Sequence, residues 1–269
     1  MKKEARWLGF GRTETGLVRQ SNQDAFAAIN SCNFWIVADG MGGHPGGDVA
    51  AHTAVDVATQ HAKAVAASHE DLAHISGKEL VECIMAANRA IREKVREDPL
   101  LRGMGTTVVA MTITLTPTPV ATIAHLGDSR AYRFHAGSLT QLTRDHTLVA
   151  VLLERGLIDE ATARAYPDRH VLAKGLGMAS DMQPEVTSTS LSPSDLLMLC
   201  SDGLTKMLED VDIAAILAQA QGNCRRACHD LVEQALKRGG EDNVTVIVCA
   251  YTTPTKAGSP AIDKTPPAM

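Results

Sequence analysis

The order of segments along this chain predicts a layered α+β domain in which helices cover a mostly antiparallel sheet. Short apolar and β-branched runs, bounded by Gly, Asn, Asp and Pro, crowd both ends of the 269 residues. Two long stretches with helical patterning lie between them, and one more helical stripe and a strand close the sequence.

Taken in order, Ala5 to Phe10, Ala25 to Ile29 and Phe34 to Ala38 read as paired strands. Asp48 to about Ala67 reads as a helix, since neither Gly nor Pro interrupts it and Ala is abundant. A second helix runs from about Lys78 to Glu97. Its apolar residues Leu80, Ile84, Ala87, Ile91 and Val95 share one face, and Pro99 ends it. Thr106 to Leu115 and Val120 to Leu126 form a hairpin whose turn carries Pro117 and Pro119; Ala131 to Phe134 and Leu139 to Leu142 extend the same sheet. From Thr147 to Tyr166 the pattern is helical but broken at Gly156, as expected of an inserted subdomain over the sheet. Val186 to Leu191, Leu196 to Cys200 and Val244 to Ala250 are further strands. The last helix, Asn223 to Arg238, aligns Ala227, Cys228, Leu231, Val232 and Ala235 before the Gly239–Gly240 stop. The expected organisation is one domain over 1–252, followed by a Thr-, Pro-, Ala- and Lys-rich tail at 253–269 whose composition predicts disorder.

Composition narrows the function. With 45% hydrophobic and 21% charged residues, the chain is that of an ordinary soluble globular protein. A net charge of −5 offers no basic surface for nucleic acid or anionic membrane, and 3% aromatics offer no stacking platform for single strands. Apolar runs such as Leu148 to Leu153 fall far short of the ~20 residues that span a bilayer. Glu4, Arg6 and Arg12 leave no apolar segment behind Lys2 and Lys3 for a signal peptide, so a cytoplasmic location is expected. The cysteines at 32, 83, 200, 224, 228 and 249 form no Cys-x-x-Cys pair and read as small buried hydrophobes; Cys224 and Cys228 beside His229 make an incomplete zinc site.

The informative feature is a set of aspartates just outside apolar strands. Asp39 follows Phe34 to Ala38, Asp202 follows Leu196 to Ser201, and Asp128 follows Ile123 to Gly127; Asp24 and Asp242 stand just before strands. A single Asp-Gly is usually a turn dipeptide. Two such pairs after long apolar strands, with three more aspartates in similar settings, point instead to carboxylates converging from rigid strand ends. Carboxylates so placed repel unless a cation neutralises them, and all-oxygen ligands favour Mg2+ or Mn2+. Gly40 permits a backbone turn that presents a carbonyl to the same ion. Ser129, His125 and Asp128 include the residue types of a hydrolytic triad, but neighbours in one turn do not assemble one. The Gly-rich 40–47 run lacks the Lys-Ser/Thr of a phosphate-binding loop.

Read as motifs, Gly16-Leu17-Val18-Arg19-Gln20-Ser21-Asn22-Gln23-Asp24-Ala25 and Asp39-Gly40-Met41-Gly42-Gly43-His44 resemble the opening of the PPM (protein phosphatase 2C) family of metal-dependent Ser/Thr phosphatases, bacterial type. Gly105-Thr106-Thr107, Leu126 to Arg130, Asp145-His146, Ser201 to Leu204 and Glu241 to Thr245 follow in the family's order, so the resemblance spans roughly residues 5 to 251. It implies a four-layer β-sandwich of two antiparallel sheets flanked by helices, with an inserted flap at about 146–184. It implies that Asp39 bridges two Mn2+ or Mg2+ ions, with the Gly40 carbonyl on the second and Asp202 and Asp242 on the first. Asp128 matches a position that shares a weaker third ion with Asp202, Asp24 one that orders a metal-bound water, and Arg19 the grip on the substrate phosphate. The attacking group is then a metal-bridging hydroxide, and the leaving alkoxide takes its proton from His44 or from a water on the third ion.

Four residues depart from the pattern: Gln23 stands for a common Glu, Glu14 for Asp, His170 for Asn and Lys174 for Arg. The implied partners are phosphorylated proteins and a cognate bacterial Ser/Thr kinase, with a monomer as the working unit. Two other readings compete: a pseudo-phosphatase acting as a binding module, disfavoured by intact Asp39, Asp202, Asp242 and Arg19, and a metal-dependent nuclease, disfavoured by the acidic charge.

Overall fold

The computed structural model describes residues 6–41, 46–68, 75–115 and 118–252. The expectations placed on His44, on Thr116 and Pro117, and on the tail after residue 252 lie outside the described residues.

The strands are β1 (Arg6–Glu14), β2 (Asp24–Ile29), β3 (Phe34–Met41), β4 (Gly105–Thr106), β5 (Val108–Thr114), β6 (Val120–Leu126), β7 (Arg130–His135), β8 (Ser138–Gln141), β9 (Glu185–Ser190), β10 (Leu196–Cys200) and β11 (Val244–Thr252). The helices are α1 (Gly46–Ser68), α2 (Gly77–Glu97), α3 (Leu148–Glu154), α4 (Glu160–Ala165), α5 (Asp202–Thr205), α6 (Asp210–Ala220) and α7 (Cys224–Lys237). One sheet runs β1-β11-β10-β7-β8 and the other β2-β3-β5-β6-β9, with β4 on β3; all the pairings are antiparallel.

Each central strand is apolar on both faces because each sheet has a neighbour on both sides. Residues alternate across a pleated strand, so one face meets the other sheet and the other meets helices. Trp35 and Val37 of β3, Val109 and Met111 of β5, Leu197 and Leu199 of β10 and Ile247 of β11 fill the space between the sheets. The alternate residues Phe34, Ile36 and Ala38 pack under α1 and α2, while Met198, Val246 and Val248 pack under α6 and α7. This is a four-layer α-β-β-α sandwich. Asn30 ties the sheets together: its Oδ1 accepts from the Trp35 indole (3.0 Å) and from the Gly9 amide (2.8 Å). A Cβ on Gly9 would lie 2.1 Å from the Trp35 nitrogen, so the indole fits only against a bare backbone.

α2 starts at a capping box, with Ser76 accepting from the Glu79 amide and Glu79 from the Ser76 amide, and stops before Pro99. It buries Leu80, Ile84, Ala87 and Ile91 on the face read from the sequence. Burying each of its two isoleucines contributes roughly 1.5–3 kcal/mol. The buried face of α1 is mostly alanine, with Ala50, Ala51, Ala54, Ala58 and Ala62, which brings the helix backbone close to β3.

Three expectations change. β1 does not pair with β2 but with β11, from Arg6↔Thr252 to Glu14↔Val244. β7 and β8 do not extend the β5–β6 sheet: after Gly127 the chain crosses to the other sheet, where β7 pairs with β10. α5 and α6 fill a stretch that the sequence reading left without structure. The segment around α3 and α4 is held at its edges by the bridges Thr147↔Leu172 and Thr106↔Leu176, and it borders the cavity described next.

Candidate metal-centred active site

One end of the sandwich collects the strand-end aspartates. Asp24 and Asp39 are direct partners in the β2–β3 ladder. β10 and β11 are neighbours, so Asp202, which opens α5 just past β10, lies beside Asp242, two residues before β11. Asp128 sits on the β6–β7 turn after Gly127, whose φ of +108° favours glycine. Asp39, Gly40, Asp128, Asp202 and Asp242 line one cavity of about 230 Å³. A larger space of about 640 Å³ shares Arg19, Asp128, His170, Asp202, Lys206 and Asp242 with it and extends along Thr147, Val149, Ala163 and Arg169.

Backbone and hydroxyl contacts fix these side chains. The Asp39 amide donates to Thr107 Oγ1 (3.1 Å), and its carbonyl accepts from the Thr107 amide (2.9 Å) and Thr106 Oγ1 (2.8 Å). Asp24 Oδ2 accepts from Ser201 Oγ (2.7 Å) and Thr245 Oγ1 (2.6 Å). Asn243 staples the Arg19 loop to β11: its Nδ2 donates to the Thr15 and Ser21 carbonyls (2.8 and 2.9 Å) and its Oδ1 accepts from the Gln23 amide (2.8 Å). Thr107, Ser201, Thr245 and Asn243 were visible in the sequence only as motif neighbours. Ser201 and Asn243 carried a usable signal, as small hydrogen-bonding residues directly beside Asp202 and Asp242; Thr107, far from Asp39 in sequence, carried none.

Gly40 closes the floor. A Cβ there would lie 2.1 Å from the Gly47 carbonyl oxygen and 2.8 Å from that of Gln23, both backbone atoms. Gly40→Ala is therefore expected to destabilise the protein by about 2 kcal/mol or more, read as a drop in melting temperature.

The electrostatics follow from burial. Asp24 is only 3% exposed and Asp128 only 7%. Burial, and then the neighbouring carboxylates, push Asp24 up to about 6 and Asp128 up to about 7. Asp39, at the cavity floor among Asp24, Asp202, Asp128 and Asp242, is pushed well above its ordinary range by burial and then by those carboxylates. Asp242 goes the other way. Burial raises it, but Lys206 and Arg19 more than offset that and hold it low. Arg19 Nε lies 2.9 Å from Asp242 Oδ1, and its Nη2 donates to Oδ2 at 2.9 Å. Lys206, which the sequence reading missed, reaches both Asp202 (2.6 Å) and Asp242 (2.9 Å).

This donor set fits a hard divalent cation. Asp24 Oδ1 and Asp202 Oδ1 are buried without a hydrogen-bond partner among the described residues, and a buried carboxylate oxygen left so is costly. Five aspartates converge with too few side-chain cations to balance them. Other groupings do not compete. The His125 and His146 rings stack in parallel (centroids 4.6 Å, 4°), so their in-plane lone pairs do not meet at one point, although Glu185 is near. Ser129 Oγ bonds Thr107 Oγ1 (2.7 Å), while His125 Nε2 bonds the Arg144 carbonyl (2.8 Å), so no triad forms. The Cys224 and Cys228 thiols contact the Leu8 and Phe10 carbonyls, and burial pushes them up to about 11 and about 12, as for inert buried cysteines.

A two-sheet sandwich with an all-oxygen cluster at one end defines a protein built around hard divalent cations. Residues 18–238 match the model of the protein phosphatase 2C family, and the chain belongs to that family. It is 34% identical over 245 residues to the serine/threonine protein phosphatase PstP of Mycobacterium tuberculosis, covering 88% of this chain and 43% of that protein. It is 34% identical over 244 residues to the serine/threonine phosphatase stp of Listeria monocytogenes, covering 88% and 93%. The chain thus spans less than half of the mycobacterial relative and nearly all of the listerial one. The solved catalytic domain of PstP in complex with two manganese ions superposes with a TM-score of 0.78 at 32% identity, covering 93% of this chain and all of that one. Among the described residues, no helix is long and apolar enough to cross a membrane.

Proposed function

We propose that the chain is a metal-dependent protein serine/threonine phosphatase that hydrolyses phosphoserine and phosphothreonine monoesters. The observation that carries this reading is the convergence of Asp39, Asp128, Asp202 and Asp242 on one cavity lined also by Arg19, with Asp24 directly behind Asp39 in the ladder. The relatives' names support the substrate class, and the manganese-bound relative supports Mn2+ or Mg2+ as the cofactor. In this reading Asp39 and the Gly40 carbonyl serve a central pair of ions together with Asp202 and Asp242, and Asp128 serves a weaker third with Asp202. Such ions supply a nucleophilic hydroxide at neutral pH and screen the phosphate charge.

The chain's own groups do the rest. Asp24, held by the Ser201 and Thr245 bonds to Oδ2, keeps its Oδ1 buried beside Asp39 and without a partner among the described residues, and in this reading it would order a water on the metal pair. Arg19 carries a planar fork of donors at the mouth and grips the phosphate, which sets the line of attack. The larger space beyond has room for the residues flanking the phosphorylated side chain, with the 146–184 segment as a flap over it. His44 is the candidate donor to the leaving oxygen. The counterpart in the cell is a Ser/Thr kinase, and the phosphatase acts as a cytoplasmic monomer. With Mn2+, p-nitrophenyl phosphate and a phosphothreonine peptide are expected to be hydrolysed, EDTA to stop both, and bis(p-nitrophenyl) phosphate to remain intact. No turnover of either monoester at saturating Mn2+ would make the protein a binding module instead, and cleavage of the diester would make it a nuclease-type enzyme.

A further inference from the structure

We propose that Lys206 is a resident cation that occupies the Asp202–Asp242 pair in the metal-free protein and must be displaced before a divalent ion binds there. Its strength of attachment then sets the metal concentration at which the site fills. This rests on the metal-centre reading above.

The placement is local and specific. Lys206 follows the four-residue α5, and its amide donates to the Asp202 carbonyl at 2.8 Å, so the lysine lies one turn beyond the aspartate. Four-residue spacing puts the two side chains on one face of the turn, and the ammonium folds back over the start of α5. There it lies 2.6 Å from Asp202 Oδ2 and 2.9 Å from Asp242 Oδ2, with the side chain only 25% exposed. An ordinary surface lysine in an i,i+4 pair touches one carboxylate and stays in water. This one bridges two carboxylates that come from different segments and that the cavity presents to a ligand.

The rest of the cluster shows what the lysine does. Asp242 is also held by Arg19, so the outer pair, Asp202 and Asp242, is balanced by two side-chain cations. Among the described residues no side-chain cation is paired with Asp24 or Asp39. In the metal-free site the side-chain cations are thus gathered on the Asp202–Asp242 pair, which Lys206 and Arg19 neutralise. The lysine does not use up its partners: Asp202 Oδ1 stays buried with no hydrogen-bond partner among the described residues. A divalent ion of the Mg2+ type draws carboxylate oxygens to about 2.0–2.1 Å. It therefore needs the same Oδ2 atoms that the ammonium now holds, and the two cations exclude each other. A site populated in a closed form binds its ligand more weakly by the fraction that is open. The same contact stabilises the metal-free chain, because without it Asp202 and Asp242 would face each other with Arg19 alone to offset their charge.

The test uses the full chain stripped of metal with EDTA, titrated with Mn2+ by calorimetry at pH 7.5. Lys206→Met and Lys206→Gln are expected to bind the first Mn2+ at least tenfold tighter than wild type, and Lys206→Arg to stay near wild type. The neutral variants should also melt at lower temperature without metal and gain more in melting temperature on adding Mn2+. Equal or weaker Mn2+ binding by folded Lys206→Met and Lys206→Gln overturns the proposal. For a neutral variant that needs metal to fold, a rise in melting temperature between low and saturating Mn2+ no larger than wild type's does the same. If neither wild type nor any variant binds Mn2+ or Mg2+, the metal-centre reading itself falls.

Discussion

Asp39→Asn is expected to leave less than about a thousandth of the wild-type phosphatase turnover while raising the melting temperature of the metal-free protein. The two effects share one cause. Asp39 sits near the end of β3 opposite Asp24, and three further carboxylates act on it. As a ligand in the proposed central position it cannot be replaced by a neutral amide, and a thousandfold loss corresponds to about 4 kcal/mol of transition-state stabilisation. In the metal-free chain the same group carries either a repelled charge or a proton, and a neutral amide bears neither cost. Its backbone bonds to Thr106 and Thr107 survive the substitution, so the strand stays in place. Steady-state kinetics with Mn2+ and calorimetric melting in EDTA measure the two halves. Turnover above a tenth of wild type would remove Asp39 from the centre, and a lower metal-free melting temperature would show that its charge has a partner in the fold.

The second large effect is on pH. Mn2+ affinity is expected to rise by tenfold or more per pH unit between about 5 and 7. Asp24 at about 6, Asp128 at about 7 and Asp39 well above its ordinary value hold protons in the folded, metal-free protein that the unfolded chain has already lost. The folded state thus binds more protons than the unfolded one in this window. These groups therefore lower metal-free stability progressively as pH rises from about 4, and the loss levels off above their folded values. Metal needs the carboxylates ionised, so loading expels the protons and tightens as they become easier to remove. His146, lowered chiefly by burial, works in the opposite direction and favours the folded state as pH rises. Proton release on loading is therefore a cleaner readout than melting. Calorimetry in buffers of different ionisation enthalpy counts the protons; none released at pH 6 would show that the carboxylates are already ionised without metal.

The parts of the fold legible in the sequence were those encoded by local pattern. The face of α2 could be read from Leu80, Ile84, Ala87 and Ile91, and the strand-end positions of Asp39, Asp202 and Asp242 from the apolar runs beside them. Sheet membership was not, because pairing is a long-range choice. β7 follows β6 closely in sequence, yet the turn at Gly127 carries it to β10, and nothing near residues 127–130 states which sheet will receive it. α6 was missed because apolar residues are spread around it: Ile213, Leu217 and Ala220 are buried, but Val211 on the same helix is 75% exposed. In the site, each aspartate was readable from its strand, but Lys206 was not. On paper it is one more helix-surface lysine; its meaning depends on Asp242, 36 residues further along the chain.

The pairing of β1 with β11 has a consequence for the protein's synthesis. The first strand finds its neighbour only when residues 244–252 have left the ribosome, and Asp242 arrives with them. Until then β1 and β10 are bare edges with no strand between them, and the carboxylate cluster lacks a member. A nascent, nicked or prematurely terminated chain would already carry Arg19, Asp39 and Asp202 but could not bring them into a working arrangement. In the proposed reading, no product that stops short of β11 can be active. β11 serves as the closing piece of both the sheet and the chemistry.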